Sequence, residues 1–282
     1  MWQSSYDGSP TLYLIPTPIG NLEDMTFRAI EILKTVSVIF CEDTRVTLQL
    51  LNHFEIKKKL ITLHDHNEEK VKEILLKYLE NGESVAIVTD RGTPIISDPG
   101  YKTVAYVIEK GYNVVCLPGA CAFVPAIVTS GLSTEHFVFY GFLNSNSTKR
   151  KKELMELESF PYTVIFYEAP HRIKKTLCDI YEIFGDRDIS LSREISKRYE
   201  SIYHGKLSNL IRSGVEIKGE IVLVVEGNSN TFIDNDMSII EMVNIYISNG
   251  YSVMDAIKKV AKDTGRRKND IYKEYHGGVL WK

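Results

Sequence analysis

The chain has 282 residues, 44% hydrophobic and 25% charged, a globular composition with room for two domains of ordinary size. Its net charge of -3 excludes a protein drawn to nucleic acid by global charge, so polyanion binding has to come from local basic patches. No apolar run approaches the length of a membrane span, and the first ten residues lack the basic and apolar regions of a signal peptide and read as a flexible tail.

The first strand is Leu12–Ile15, and Pro16, Pro18 and Gly20 break it into an open loop. A helix over Thr26–Lys34 follows, with Asp24 as its cap and Phe27, Ile30 and Leu33 on one face. The second strand, Val36–Cys41, ends in Glu42-Asp43-Thr44-Arg45 and leads into a helix to Phe54. A third strand, Leu60–Leu63, ends at His64-Asp65-His66, before an amphipathic helix over Lys70–Glu80. Val85–Val88 is an apolar run without helical spacing, as in a strand buried on both faces of a parallel sheet. It opens into a loop punctuated by Gly92, Pro94, Pro99 and Gly100, and the helix Tyr101–Lys110 follows. The fifth strand, Asn113–Leu117, enters the small-residue turn Pro118–Ala122 and a helix to Thr129. This alternation predicts a doubly wound parallel sheet whose five strand ends share one edge, the edge where such sheets bind ligands.

The second half predicts a mixed sheet. Its strands are Phe137–Phe142, Tyr162–Tyr167, Ile189–Ile195, Ser201–Gly205 and Glu220–Glu226, with so little between the third and fourth that they pair as a hairpin. Lys149-Arg150-Lys151-Lys152 opens one helix, and Glu168-Ala169-Pro170-His171-Arg172 precedes another that Gly185 stops. After residues 227–230, capping boxes at Ser238 and Ser252 start two helices separated by Asn249-Gly250, and a third begins near Asn269 beyond the basic corner Arg266-Arg267-Lys268. The expected organisation is an α/β domain over 11–130, a second over 131–230 and a helical appendage over 236–282.

No GxGxxG follows the first strand and no GxxxxGK[ST] occurs, so a pyrophosphate cradle is missing. A site of small residues and backbone turns suits a cofactor without phosphates, and S-adenosylmethionine fits. Cys41, Cys116, Cys121 and Cys178 lack CxxC spacing and read as reduced, mostly buried thiols. His64 and His66 lack a third ligand for zinc, and no metal is expected. Other groups carry two readings. Asp90 and Asp98 suit turn caps or a site. Glu42, Asp43 and Arg45 suit a local ion pair and cap, or catalysis. Lys149–Lys152 and Arg266–Lys268 suit solvated faces or phosphate contacts.

The segments TPIGNLEDMTFRA, CEDTR, LHDHNE, VTDRGTPIISDPG, LPGACA, FYEAPHR, SREISKRYE and KGEIVLVVEG, in this order, resemble the bacterial 16S ribosomal RNA ribose 2′-O-methyltransferases of the tetrapyrrole methylase superfamily. The likeness runs from Leu12 through the helical tail. It implies two α/β domains with S-adenosylmethionine in the cleft between them, and a cytoplasmic homodimer. It also implies a small-ribosomal-subunit substrate carrying a decoding-region cytidine. The residues it places on the cofactor are Pro18, Asp90, Arg91, Gly92, Thr93, Ile95, Cys121, Ala122, Tyr167 and Glu168. Arg91 stands where the pattern has a small residue, Cys121 where it has serine, and Asn144–Thr148 lacks an expected proline. Glu42 and Asp43 occupy the strand end where corrin-type relatives carry an acidic base, with His64 and His66 next in line. Arg45, Lys149, Arg150, Lys151, Lys152, Arg172, Arg266, Arg267 and Lys268 are the RNA-binding candidates. Methylation of a small tetrapyrrole and a non-catalytic RNA-binding module stand as the other readings. A nucleotide-dependent oxidoreductase is opposed by the missing glycine fingerprint.

Overall fold

The structure, a computed structural model, describes residues 2–5, 7–228, 237–248 and 251–279. Strands β1 (Thr11–Ile15), β2 (Val38–Cys41), β3 (Lys59–Thr62), β4 (Val85–Val88) and β5 (Asn113–Cys116) form a wholly parallel sheet in the order β3-β2-β4-β1-β5. Successive side chains alternate between its faces. Ile39, Cys41, Ala86 and Val88 meet α1 (Phe27–Thr35) and α2 (Thr44–His53) through Leu33 and Leu51. Val38, Phe40, Val85 and Ile87 meet α3 (Glu68–Glu80) and α4 (Tyr101–Glu109) through Leu75, Leu79 and Val107. Helices on both faces are why β2 and β4 read as unbroken apolar runs. Glu68, buried at the start of α3, accepts hydrogen bonds from the Thr103 N–H and Oγ1 (2.8 and 3.2 Å) and locks α3 to α4.

Strands β6 (Phe137–Phe142), β7 (Thr163–Glu168), β8 (Asp188–Arg193), β9 (Ser201–Lys206) and β10 (Ile221–Val225) form the second sheet, ordered β6-β7-β10-β8-β9. It is mixed as expected, with β6 parallel to β7 and every other pair antiparallel. Helices α6 (Ser147–Leu157), α7 (Ile173–Phe184) and α8 (Leu207–Ser213) cover one face. Against the other face, Ala126 and Ile127 of α5 (Phe123–Val128) pack on Ile165, Val222 and Val224. A helix from the first half of the chain thus covers a face of the second sheet. The short α8, absent from the sequence expectation, buries only Leu207 and Leu210, too few apolar positions for a period to show.

Helices α9 (Ile239–Ser248), α10 (Val253–Thr264) and α11 (Lys268–Val279) have their own core, including Val243, Ala256, Ile257, Val260 and Ile271. Ser238 Oγ accepts the Glu241 N–H at 3.3 Å while Glu241 accepts the Ser238 N–H at 2.9 Å, a closed capping box, and Ser252 caps the next helix by accepting the Asp255 N–H at 3.2 Å. The expected stop at Asn249-Gly250 lies outside the described residues, as do Ser229 and Asn230. No helix among the described residues is long and apolar enough to cross a membrane.

Four local expectations are corrected. The cap of α1 is Thr26, whose Oγ1 accepts the Ala29 N–H at 3.1 Å, because Asp24 closes a separate 3-10 turn over Leu22–Asp24. Phe27, expected on the buried face of α1, is 91% exposed, since the helix starts at that residue and buries only Ala29 and Leu33. The tail docks on the edge strand β5: Gln3 donates to the Val114 carbonyl at 2.7 Å and accepts the Val114 N–H at 3.1 Å, as a neighbouring strand would. Cys116 and Cys178 are exposed, and only Cys41 is buried.

Candidate functional site

The loops after β1, β4 and β5 are joined at the carboxyl edge of the first sheet. Thr17 and Gly92 exchange two backbone hydrogen bonds of 2.9 Å. Thr17 Oγ1 donates to the Thr89 carbonyl at 3.0 Å, and Thr93 Oγ1 donates to the Ala120 carbonyl at 3.1 Å. Gly92 makes this turn at φ +81°, where a side chain would be strained, and a Cβ there would stand 3.4 Å from Ile19 Cγ2. The joined loops face Phe142 at the end of β6, Tyr167–Pro170 at the end of β7, Ile195, and Glu220–Val222 at the start of β10. Between these walls lies a cavity of about 400 Å³, of the size that holds small-molecule ligands.

Its charge is mainly acidic. Glu42, Asp90 and Asp98 all line it. Burial, opposed by a hydrogen bond from Thr89 and reinforced by the charges of Glu42 and Asp90, raises Asp98 to about 6. Burial and the neighbouring carboxylates also push Glu42 up, and burial raises Asp90, whose Oδ1 accepts the Asp43 N–H at 3.2 Å. The phenol of Tyr167 is raised by burial and lies beside Cys121. Among the described residues the cation on the lining is Arg91, paired across the cavity rim with Glu220. Lys197 Nζ reaches the same Glu220 at 2.8 Å, and Glu194 at 2.9 Å.

Residues 11–211 match the family model of Tetrapyrrole (Corrin/Porphyrin) Methylases. The "Ribosomal RNA small subunit methyltransferase I" of Bacillus subtilis (strain 168) is 45% identical over 97% of this chain and 98% of its own length. The chain belongs to the ribosomal RNA small subunit methyltransferase I family. The family member of Vibrio cholerae serotype O1 is 46% identical over 78% of both chains. A solved uroporphyrin-III C-methyl transferase of Thermus thermophilus, complexed with S-adenyl homocysteine, covers 77% of this chain and 97% of itself with a TM-score of 0.56. A diphthine synthase covers 77% and 90% with a TM-score of 0.58. At 17% and 13% identity, these two likenesses speak for the fold alone.

In this member of the methyltransferase I family, Asp90, Arg91, Gly92, Thr93, Cys121, Ala122, Tyr167 and Glu168 line the cavity, whereas Pro18 and Ile95 do not. Pro18 is buried beneath its loop, and Ile95 turns at φ +73° into the first core, so the neighbours Ile19 and Ile96 form the wall instead. The Glu168 carboxylate is already bound: it accepts from the Ala169 N–H (2.7 Å), Arg172 Nε (2.7 Å) and Thr176 Oγ1 (2.5 Å). That contact also occupies Arg172. Asp43 is the cap of α2 and is chelated by Arg45, whose side chain and N–H hold its carboxyl down at about 2. Asp43 lies off the cavity lining, and Arg45 is partnered as well as exposed. His64 and His66 stand exposed after β3, their rings 6.0 Å apart, off the cavity lining. No three His, Cys, Asp or Glu side chains among the described residues gather to hold a metal ion.

The basic run divides. Arg150 is buried, with Nη2 2.6 Å from Asp179 and Nη1 donating to the carbonyls of Asn144 (3.1 Å) and Ser145 (3.3 Å), so its expected role at phosphate is corrected to a structural one. Lys151 is held by Glu182 at 2.6 Å. Lys149 and Lys152 are exposed. Arg266 pairs with Glu274 at 2.6 Å, and it stands with Arg267 and Lys268 on the helical module. That module meets the second sheet near Glu158, Arg187 and Glu226, at the end of β10 away from the cavity. Sequence reasoning missed Ile19, Phe142, Ile195 and Glu220–Val222 as lining residues. The last four converge only through β8 and β10 and carry no local signal. Asp98 did carry one, its place in a loop at the strand edge, but turn chemistry accounted equally well for SDPG.

Proposed function

We propose that this chain methylates the ribose 2′-hydroxyl of a decoding-region cytidine in 16S ribosomal RNA, using S-adenosylmethionine. In this reading it acts on the small ribosomal subunit as a cytoplasmic homodimer, with domains at 11–130 and 131–230 and an appendage at 236–282. The observation that carries the reading is the cavity itself. It joins the strand ends of one half to the second sheet, has no phosphate cradle, and presents Glu42, Asp90 and Asp98 to a ligand. Carboxylates beside apolar walls (Ile19, Ile195, Val222) fit a cofactor that carries a sulfonium, an ammonium and an adenosine. Full-length identity of 45% to a ribosomal RNA methyltransferase supports the substrate class.

Bound in the cavity, S-adenosylmethionine supplies an activated methyl group with a neutral leaving group. The chain's own task is alignment and proton removal. Asp98 is the base we assign: it lines the cavity, which Asp43 does not, and burial raises it to about 6, so that it is ionised at neutral pH yet basic enough to accept the hydroxyl proton. Burial keeps Asp98 basic, and the charges of Glu42 and Asp90 add to it. The backbone of Asp90–Thr93, fixed by the Thr17–Gly92 bridge, holds the cofactor's polar end in place.

The test is transfer of labelled methyl from S-adenosylmethionine to small subunits lacking the modification, followed by nuclease digestion and mass spectrometry. 2′-O-Methylcytidine is the expected product. Label on uroporphyrinogen and none on subunits would overturn the assignment. Lys149 and Lys152 are the exposed cations of the basic run, and replacing both by glutamine should reduce the log–log salt slope of subunit binding by about 0.7 per lysine. An unchanged slope returns them to a solvated helix start.

A further inference from the structure

We propose that Phe27 and Tyr199 are stacking platforms for unpaired RNA bases on either side of the nucleotide that enters the cavity; this rests on the RNA reading above. Two segments from opposite halves meet at the cavity rim. Each begins with one apolar residue in the cavity wall, Ile19 in one and Ile195 in the other. They are stitched together. Ser196 Oγ donates to the Asp24 carboxylate, and a Cβ on Gly20 would collide with Cγ of Lys197. Lys197 in turn pairs with Glu194 and Glu220, and Glu220 with Arg91.

Just beyond this seam each segment carries one unburied aromatic ring. Phe27 is 91% exposed and Tyr199 68% exposed. Phe27 falls at helical spacing with Ile30 and Leu33, yet the core of α1 forms without it. The ring is therefore left free of the core and open to a ligand. The second segment is also held in an unfavourable backbone: Glu194 and Ser196, neither of them glycine, sit at φ 52° and 68°. Non-glycine residues in that region persist where surrounding contacts enforce them, commonly at ligand clamps. Here the enforcing contacts are the Glu194 N–H to the Glu220 carbonyl (2.9 Å), the Glu220 N–H to Glu194 Oε1 (2.8 Å), and the Ser196 N–H to Glu200 Oε2 (2.6 Å).

The chemistry of the rim selects its ligand. Arg198 lies 5.7 Å from the Tyr199 ring centre, so a cation accompanies an aromatic face. Exposed rings with neighbouring arginine are how proteins hold single-stranded RNA, because every base offers a π-face and every linkage a negative charge. A ribose can reach a cavity between two sheets only if its nucleotide leaves the stack, which strands its neighbours outside the cavity, where the segments leading from Ile19 and Ile195 carry these rings.

The test compares full-length wild type with Phe27→Ala, Tyr199→Ala, the double variant, and the conservative Phe27→Tyr and Tyr199→Phe. Each alanine variant should raise KM for unmodified small subunits about tenfold. The conservative variants should restore it, with S-adenosylmethionine affinity and the thermal midpoint unchanged. An unaltered KM in the double variant overturns the proposal. So does a loss of activity that follows a fall in molecular mass by light scattering, which would make the rings an interface between copies of the chain. If wild type methylates no subunit, the substrate reading fails separately. Binding of a single-stranded cytidine-containing oligoribonucleotide then decides the inference: weakening of about tenfold in the alanine variants supports it, and equal binding overturns it.

Discussion

Replacing Asp98 by asparagine is expected to lower kcat for methyl transfer by about 10²–10⁴-fold, the usual worth of a positioned general base. Asparagine keeps the shape and the hydrogen-bond reach towards Thr89 but cannot accept the proton. In wild type, kcat/KM should climb about tenfold per pH unit below about 6 and level off above it. The variant should lose that inflection. The same substitution has an opposite effect on stability. The folded-state value of Asp98, about 6, lies above its unfolded value of 3.8, so the folded protein binds the proton more tightly. At low pH both states are protonated and nothing is lost. As pH rises from about 4 to about 6, ionising the group in its buried place destabilises the fold, and above 6 the full cost is present. Asp98→Asn removes it and should stabilise the protein at pH 8 by about 1–2 kcal/mol, after allowance for partial solvation. Full turnover in Asp98→Asn, with normal cofactor binding, would remove Asp98 from the mechanism.

Arg150→Ala is expected to cost about 2–4 kcal/mol of folding stability, read from urea unfolding, because buried Asp179 would keep only the Ser147 hydroxyl (2.9 Å) and the more distant Lys151 (3.7 Å) as partners. Two backbone carbonyls, those of Asn144 and Ser145, would also lose a donor. Replacing both members of the pair with apolar residues, Arg150→Met with Asp179→Leu, should recover most of the loss, since a buried ion pair and a packed hydrophobic pair are often of similar worth. The salt slope of RNA binding should not change in the double variant. A flattened slope with little loss of stability would reverse the assignment and return Arg150 to the phosphate-binding surface.

These two residues mark where local reading stops. Lys149–Lys152 is one basic run in the sequence, but the fold treats its members differently: Lys149 and Lys152 face water, Lys151 is held by Glu182, and Arg150 enters the core. The deciding partner, Asp179, lies 29 positions away on α7. Phe27 shows the converse. Its spacing with Ile30 and Leu33 argues for burial, but periodicity names the faces of a helix without saying which residues a neighbouring element covers. The cap of α1 went to Thr26 because a separate turn claims Asp24, a competition that spacing alone does not resolve.

By itself the sequence determined the layered architecture. Unbroken apolar runs such as VAIV require a sheet covered on both faces, and β2 and β4 are covered that way. It determined the edge of the sheet that carries the loops of the site, because all strands of a parallel sheet end on one side. It also determined the serine caps of two helices in the helical module, whose partners lie three residues apart. Only the tertiary structure decided which loop residues face the cavity and which support it. Ile195 and Glu220–Val222 reach the lining from the second sheet, and Arg91 finds Glu220 across 129 positions. Asp98 acquires its basicity from burial between two halves of the chain that meet only on folding. Chemistry set by desolvation and by long-range partners depends on distances that no local pattern contains.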